Sequence, residues 1–153
     1  MATSLAADLS EDYRRAEGDL PEPASALLSR ARDSSIYGTR ERDRLLTDIV
    51  AAYRAGPRQL WAPVILDLLA PALVELLPLL RPELPVVDNE EIRQQLVMET
   101  LRAAAVMPIH ERGGDTKVRL LARAYKYVVR WLVREGSRQH CQLSFEALEE
   151  VTR

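Results

Sequence analysis

The chain has 153 residues, a formal net charge of −2 and a hydrophobic content of 47%, which is enough for one domain with a buried core. Charged residues make up 29% of the chain and are balanced in sign, which excludes a disordered charged tail and a generally basic nucleic-acid binder. The single cysteine excludes an internal disulfide framework and is typical of a protein in the reducing cytoplasm. The N-terminus lacks the positive charge and the apolar run of a signal peptide, so we expect no secretion signal.

The apolar residues recur with helical period almost throughout, and few runs alternate as strands do. The sequence therefore predicts an all-α fold, a single-domain bundle of four to five helices. We divide it into a loosely structured N-terminal extension over residues 1–38, a helical domain over 39–136, and a C-terminal loop with a short helix over 137–153. A short helix is expected over 24–32, inside the extension.

Thr39 is the predicted N-cap of the first firm helix, which runs to about Arg54 and is stopped by Gly56 and Pro57. The apolar block that follows, residues 61–80, has the length of a membrane span. It contains two carboxylates and three prolines, so we interpret it as the centre of the bundle and expect no membrane contact. Pro71 is expected to begin a second helix there or to kink the first.

Asp88 and Glu91 have the spacing of a capping box, which predicts a helix over 89–106. Residues 108–115, with two adjacent glycines, are expected to form a loop. A basic helix follows and is expected to end at Gly136. Ser144 is then the predicted cap of a short helix over 145–151.

The basic helix is the most informative segment. Residues 117–138 contain seven Lys or Arg against one Glu, a local charge of +6. At about 100° per residue, the basic residues fall in a narrow arc: Arg119, Arg123, Lys126, Arg130 and Arg134. Apolar residues occupy the opposite half: Leu120, Leu121, Ala124, Val128, Trp131 and Leu132. Tyr127 lies between the two halves, where it would suit unstacked bases beside a phosphate backbone. A solvated surface helix, with Tyr127 and Trp131 packed in the core, is the alternative.

Catalytic chemistry has little basis in this sequence. His110-Glu111 and His140-Cys141 do not have a zinc spacing. No nucleophile elbow, P-loop or dinucleotide fingerprint is present. We therefore expect a protein that is not an enzyme and has no cofactor or metal.

Residues 45–135 resemble region 2 of the RNA polymerase sigma-70 superfamily, particularly its extracytoplasmic-function type. Residues 46–56 are similar to the family's "LV.AY..G" helix, and residues 69–76 to its "YAP.LY.LA" segment. Residues 120–135 resemble the "WLYRIARNLALDWLRRE" helix, and six residues coincide: Leu120, Ala124, Trp131, Leu132, Arg134 and Glu135.

The resemblance implies binding of the promoter −10 element as melted, single-stranded DNA. It places six residues near that DNA: Arg119, Arg123, Lys126, Tyr127, Arg130 and Arg134. Tyr125 is a second candidate for holding a base. The family's polymerase-binding helix, "DLVQEVFLRAW", is matched by residues 94–104, which implies contacts through Gln95, Glu99 and Arg102.

The family's helix-turn-helix domain has no counterpart here, since only 18 residues follow position 135. We therefore expect a stand-alone sigma-like transcription protein, or a module whose partner recognises the −35 element. The alternative is a helical protein–protein module, an adaptor or regulator, favoured by the surplus of apolar residues over 59–80. The oligomeric state stays open.

Overall fold

The computed structural model describes residues 24–80, 87–109 and 115–152, with backbone alone at 34, 139–149 and 151–152. Over these ranges the chain is helical and has no strand, which confirms the predicted all-α bundle. Five α-helices lie in these described ranges: α1 (Ala24–Arg32), α2 (Thr39–Ala55), α3 (Arg58–Leu76), α4 (Asn89–Val106) and α5 (Thr116–Thr152). Short 3-10 turns lie at Ser34–Ile36 and Leu77–Leu80.

Helix α2 contacts each of the other four helices, and α1 packs chiefly against it. Helix α1 was expected from the sequence, and its Leu28 is buried in the common core, so residues 24–32 pack with the domain rather than apart from it. Helix α2 begins at Thr39 with Gly38 at its N-cap, so the prediction of Thr39 as the cap is wrong by one residue. It ends at Ala55 as predicted, because Gly56 takes a φ of 88°, which favours glycine.

Helix α3 packs one side against the core of the bundle. Trp61, Ile65 and Leu69 are buried on that side, whereas 28% of the helix's most apolar stretch is buried in all, so its central position stays a prediction. The helix continues through Pro63 and Pro71, so the expectation of a second helix at Pro71 is wrong. One missing backbone donor is tolerated here because apolar contacts hold the helix on both sides of the proline. By length and composition alone, Arg58–Leu80 is also apolar enough to cross a membrane; 28% of its apolar window is buried, and a mostly buried core helix of a soluble protein passes the same test.

Helix α4 begins as predicted from the sequence. Asp88 is its N-cap, and the carboxylate accepts a hydrogen bond from the Glu90 N–H at 3.2 Å, not from the Glu91 N–H that a capping box would use. At the other end, the Arg54 guanidinium of α2 donates to the backbone oxygens of Ala104 and Met107, the first at 2.8 Å. Because these carbonyls have no partner within α4, Arg54 caps the C-terminal end of that helix. Burial lowers the pKa of Arg54.

Helix α5 is a single helix of 37 residues, and the predicted end at Gly136 is wrong. The expected loop after Gly136 and the separate helix over 145–151 are therefore one continuous helix. A glycine ends a helix when it adopts a positive φ, but Gly56 is the glycine with that conformation among the described residues. An ion pair between Glu135 and Arg138, at 3.4 Å, spans the glycine instead.

The start of α5 is fixed by α2. The Asp43 carboxylate accepts hydrogen bonds from the backbone N–H groups of Thr116 and Lys117, at 3.2 and 3.0 Å. The hydroxyls of Thr47 and Thr116 form a buried hydrogen bond of 2.6 Å beside it. Asp43 thus caps a helix that begins 73 residues later, and its negative charge opposes the positive end of the helix dipole.

Candidate nucleic-acid interface

The inner face of α5 attaches it to the bundle, chiefly against α4. Leu120, Ala124 and Val128 are fully buried, as predicted. Leu121, Trp131 and Leu132, also predicted for this half, are partly buried against the core. This attachment fixes which side of the helix is turned outward.

The basic residues of α5 lie on one side of the buried face and form the basic row: Arg119, Arg123, Lys126, Arg130 and Arg134. Lys126, Arg130 and Arg134 are exposed, while Arg119 and Arg123 are partly buried. In the part of the chain that the structure describes, no ion pair neutralises any member of the row. The Nη1 atom of Arg119 is buried without a hydrogen-bond partner. The row is thus a strip of positive charge without internal compensation.

Tyr127 lies at the edge of the basic row, toward the buried face of α5. The guanidinium carbons of Arg123 and Arg130, one turn away on either side, lie 5.6 and 5.4 Å from the centroid of its ring. These cation–π contacts hold both arginines beside a partly exposed aromatic ring. The sequence predicted Tyr127 at the edge of the basic arc, and the structure brings these three side chains together.

The other two candidate aromatics lie elsewhere on α5. Tyr125 is about 160° from Arg123 around the helix, so it does not share a face with the basic row. Its side chain is partly buried and packs against the core, as does that of Trp131. Among these aromatic residues, Tyr127 is therefore the one placed to meet a ligand of the basic row.

The residues predicted to contact polymerase are neighbours on α4, but Glu99 does not reach the surface. It is 4% exposed, and its Oε1 accepts hydrogen bonds from Gln95 Nε2 at 3.1 Å and Arg102 Nη1 at 2.9 Å. Arg102 is well exposed, and Gln95 partly so. The buried carboxylate, whose Oε2 has no partner, therefore orients the other two side chains.

The remaining candidate groups are metal ligands and titratable side chains. No three His, Cys, Asp or Glu side chains within them lie close enough to hold a metal ion. His110 and Glu111, and the side chains of His140 and Cys141, lie outside the description. Partial burial raises the pKa of Asp67 on α3, where no second acid or base contacts it in a hydrogen bond or ion pair that the structure describes.

Sequence reasoning missed the residues that position α5 and those on its outermost side. Asp43 caps α5 from 73 residues away, and no local pattern indicates such a pairing. Val118 and Val133 are 65% and 64% exposed, on the side of α5 away from the core. Their helical spacing was a signal available in the sequence. In comparisons with known proteins, no family model, curated protein or solved structure matches this chain.

Proposed function

We propose that the basic row of α5 binds single-stranded or locally melted DNA, as region 2 of a sigma factor binds the −10 element. The observation that carries this proposal is the unneutralised basic row with Tyr127 held between Arg123 and Arg130. Five cations along one helix face match the repeated charge of a phosphate backbone. An aromatic ring among them offers a surface on which an unpaired base stacks.

The proposed mechanism is non-catalytic. Phosphates displace counterions along the basic row, and a base inserts against Tyr127 when one of the two guanidinium groups moves aside. Duplex DNA offers the phosphates without accessible base faces, so single strands bind more tightly.

The resemblance to sigma region 2 also implies contact with RNA polymerase, and this stays a prediction. Arg102 and Gln95 are the members of the predicted set that reach the surface, while Glu99 acts through them. The proposal for DNA binding does not depend on that contact.

Charge reversal on the basic row tests the proposal. The triple variant Arg123→Glu, Lys126→Glu and Arg130→Glu is expected to bind a fluorescent single strand about 10-fold or more weakly. The triple variant Arg40→Glu, Arg44→Glu and Arg93→Glu is the control. It changes the net charge equally at exposed arginines of α2 and α4 and is expected to retain binding. Circular dichroism checks that both variants keep their helicity. Equal loss of binding in the two variants would show that net charge, not the basic row, attracts DNA.

A helical protein–protein module is the second candidate function, and exposed apolar residues favour it. Val74 on α3 and Leu79 in the turn after it are 65% and 66% exposed. Binding of a protein partner through these apolar residues would barely respond to salt, whereas binding of DNA to the basic row weakens steeply as the salt concentration rises.

A further inference from the structure

The outermost side of α5 is apolar, although it faces away from the core. Val118, Val129 and Val133 are 65%, 36% and 64% exposed. At about 100° per residue, they lie roughly opposite the buried Ala124 and about 100° from the centre of the basic row. Helix α5 therefore has three distinct sides: a buried side, the basic row and an exposed apolar side.

In the sequence, the helical register of this side can be followed to the end of α5. Stepping three or four residues at a time along the sequence of α5 gives ten register positions that lack a Lys, Arg, Asp or Glu: Val118, Ala122, Tyr125, Val129, Val133, Gly136, His140, Leu143, Ala147 and Val151. Tyr125, whose side chain is partly buried against the core, lies at the margin of this set. We call this set the outer stripe. A 37-residue helix is about 55 Å long, whereas the next longest helix, α3, has 19 residues and spans about 29 Å. No other helix of the described bundle is long enough to pair with the whole stripe.

Gly136 lies near the middle of the outer stripe, and no contact within the described part of the chain requires a glycine there. A Cβ atom added there would meet no other atom within 4 Å. Glycine inside a helix costs about 1 kcal/mol relative to alanine. Because glycine has no side chain, it allows the backbone of another helix to approach closely. A glycine at this position is therefore suited to the crossing point of a second helix.

The two halves of α5 carry opposite charge. Residues 116–134 contain six Lys or Arg and no acid, a charge of +6. Residues 135–152 contain one Arg and four Glu, a charge of −3. A second α5 lying antiparallel places each negative half beside a positive half, whereas a parallel partner places like charges together. The charge distribution thus favours the antiparallel direction for a second copy of this chain.

We propose that two copies of this chain associate through the outer stripes of α5, in antiparallel orientation, around a two-fold axis near residue 134. An isologous contact of this kind is the commonest arrangement in soluble oligomers. Full overlap of the two helices places Val133 and Gly136 beside the axis and buries the exposed valines.

The geometry leaves the basic rows free. A two-fold axis perpendicular to both helices places the same flank of each helix on the same side of the dimer. Because each row lies about 100° around the helix from its outer stripe, both rows face the same side of the dimer, one toward each end. The dimer therefore presents a longer basic surface than either copy. Self-association itself does not rest on DNA binding, and it can be measured without DNA.

The mass in solution tests the association. Light scattering after size exclusion is expected to give twice the 17.3 kDa of the chain at high micromolar concentration, and a single 17.3 kDa for Val129→Glu with Val133→Glu. The control, Val74→Glu with Leu79→Glu, adds the same charge at similarly exposed apolar positions and is expected to stay dimeric. Monomeric wild-type protein, or loss of the dimer in the control alone, overturns the proposal.

Oxidative cross-linking tests the orientation, with Val133→Cys and Val118→Cys made separately in a Cys141→Ser background. In the antiparallel pair the two copies of residue 133 meet at the axis. The two copies of residue 118 are about 48 Å apart, since each lies 16 residues from position 134. Disulfides need Cα atoms within about 7 Å, so Val133→Cys is expected to cross-link and Val118→Cys is not. Cross-linking through residue 118 overturns the antiparallel arrangement, and failure at residue 133 overturns the position of the axis.

Discussion

At the scale of single residues, the binding surface depends on how Tyr127 and its two arginines are held together. The sequence indicated the residue types and their common side of the helix, because helical spacing is enough for that. It did not indicate that both guanidinium groups stack on the same ring, since side-chain rotamers follow from the three-dimensional environment. Glu99 shows the same limit. As a charged residue it was expected to contact polymerase at the surface, yet its side chain is buried and orients Arg102.

Removal of the ring is expected to weaken binding to single strands and to leave binding to duplex almost unchanged. Stacking of a base on an aromatic side chain contributes about 1–3 kcal/mol, so Tyr127→Ala should weaken single-strand affinity about 5-fold or more. Tyr127→Phe keeps the ring and should bind like the wild type. Fluorescence anisotropy with both DNA forms measures the difference. Equal weakening for single strands and duplex would contradict a stacking role.

Asp67 gives an expected pH dependence of stability. Desolvation raises the pKa of this carboxyl above its usual 3.8. The folded state therefore holds the proton more tightly than the unfolded state, and stability falls as pH rises from below 3.8 through the raised pKa. Asp67→Asn should stabilise the fold at neutral pH by less than about 1 kcal/mol, because the side chain keeps much of its solvent contact. At pH 3 the gain should vanish.

Urea denaturation at the two pH values measures this effect. Glu75→Gln, at an exposed carboxylate on the same helix, controls for the loss of a negative charge. A gain for Asp67→Asn that is equal at both pH values would contradict the account.

At the scale of helices, most of the bundle followed from the sequence. Periodic apolar residues predicted α2, α4 and the first half of α5, and Gly56 and Asp88 marked real boundaries. The helix end at Gly136 was predicted wrongly, because the sequence does not show whether a glycine adopts a positive φ. The links from Asp43 to α5 and from Arg54 to α4 join residues at least 50 positions apart, so no local pattern carries them.

Removal of a side chain from the buried side of α3 is expected to destabilise the fold. Leu69 is 1% exposed, so Leu69→Ala should destabilise the fold by about 2–5 kcal/mol through lost burial and a residual cavity. Val74→Ala, at a 65% exposed position of the same helix, should change stability by less than about 0.5 kcal/mol. Urea denaturation of both variants measures the difference. Similar small losses in both would show that this side of α3 is not core.

At the scale of the whole molecule, charge is distributed very unevenly. The net charge is −2, yet residues 117–138 carry +6, so the remaining residues carry −8. Long-range attraction to DNA is therefore weak, and binding depends on contacts close to the basic row, within about a Debye length of 8–10 Å. The composition excluded a generally basic DNA-binding protein and left a localised surface as the alternative. The structure describes that surface as one unneutralised side of α5.

The salt dependence of binding to single-stranded DNA tests the central claim most directly. With five phosphate contacts, the affinity should fall about 100-fold between 50 and 200 mM salt, because each contact releases about 0.7 of a counterion. Anisotropy measured with a labelled single strand and the matching duplex is expected to show this slope and tighter binding to the single strand. Binding that does not respond to salt, or no binding at low salt, would contradict the role assigned to the basic row.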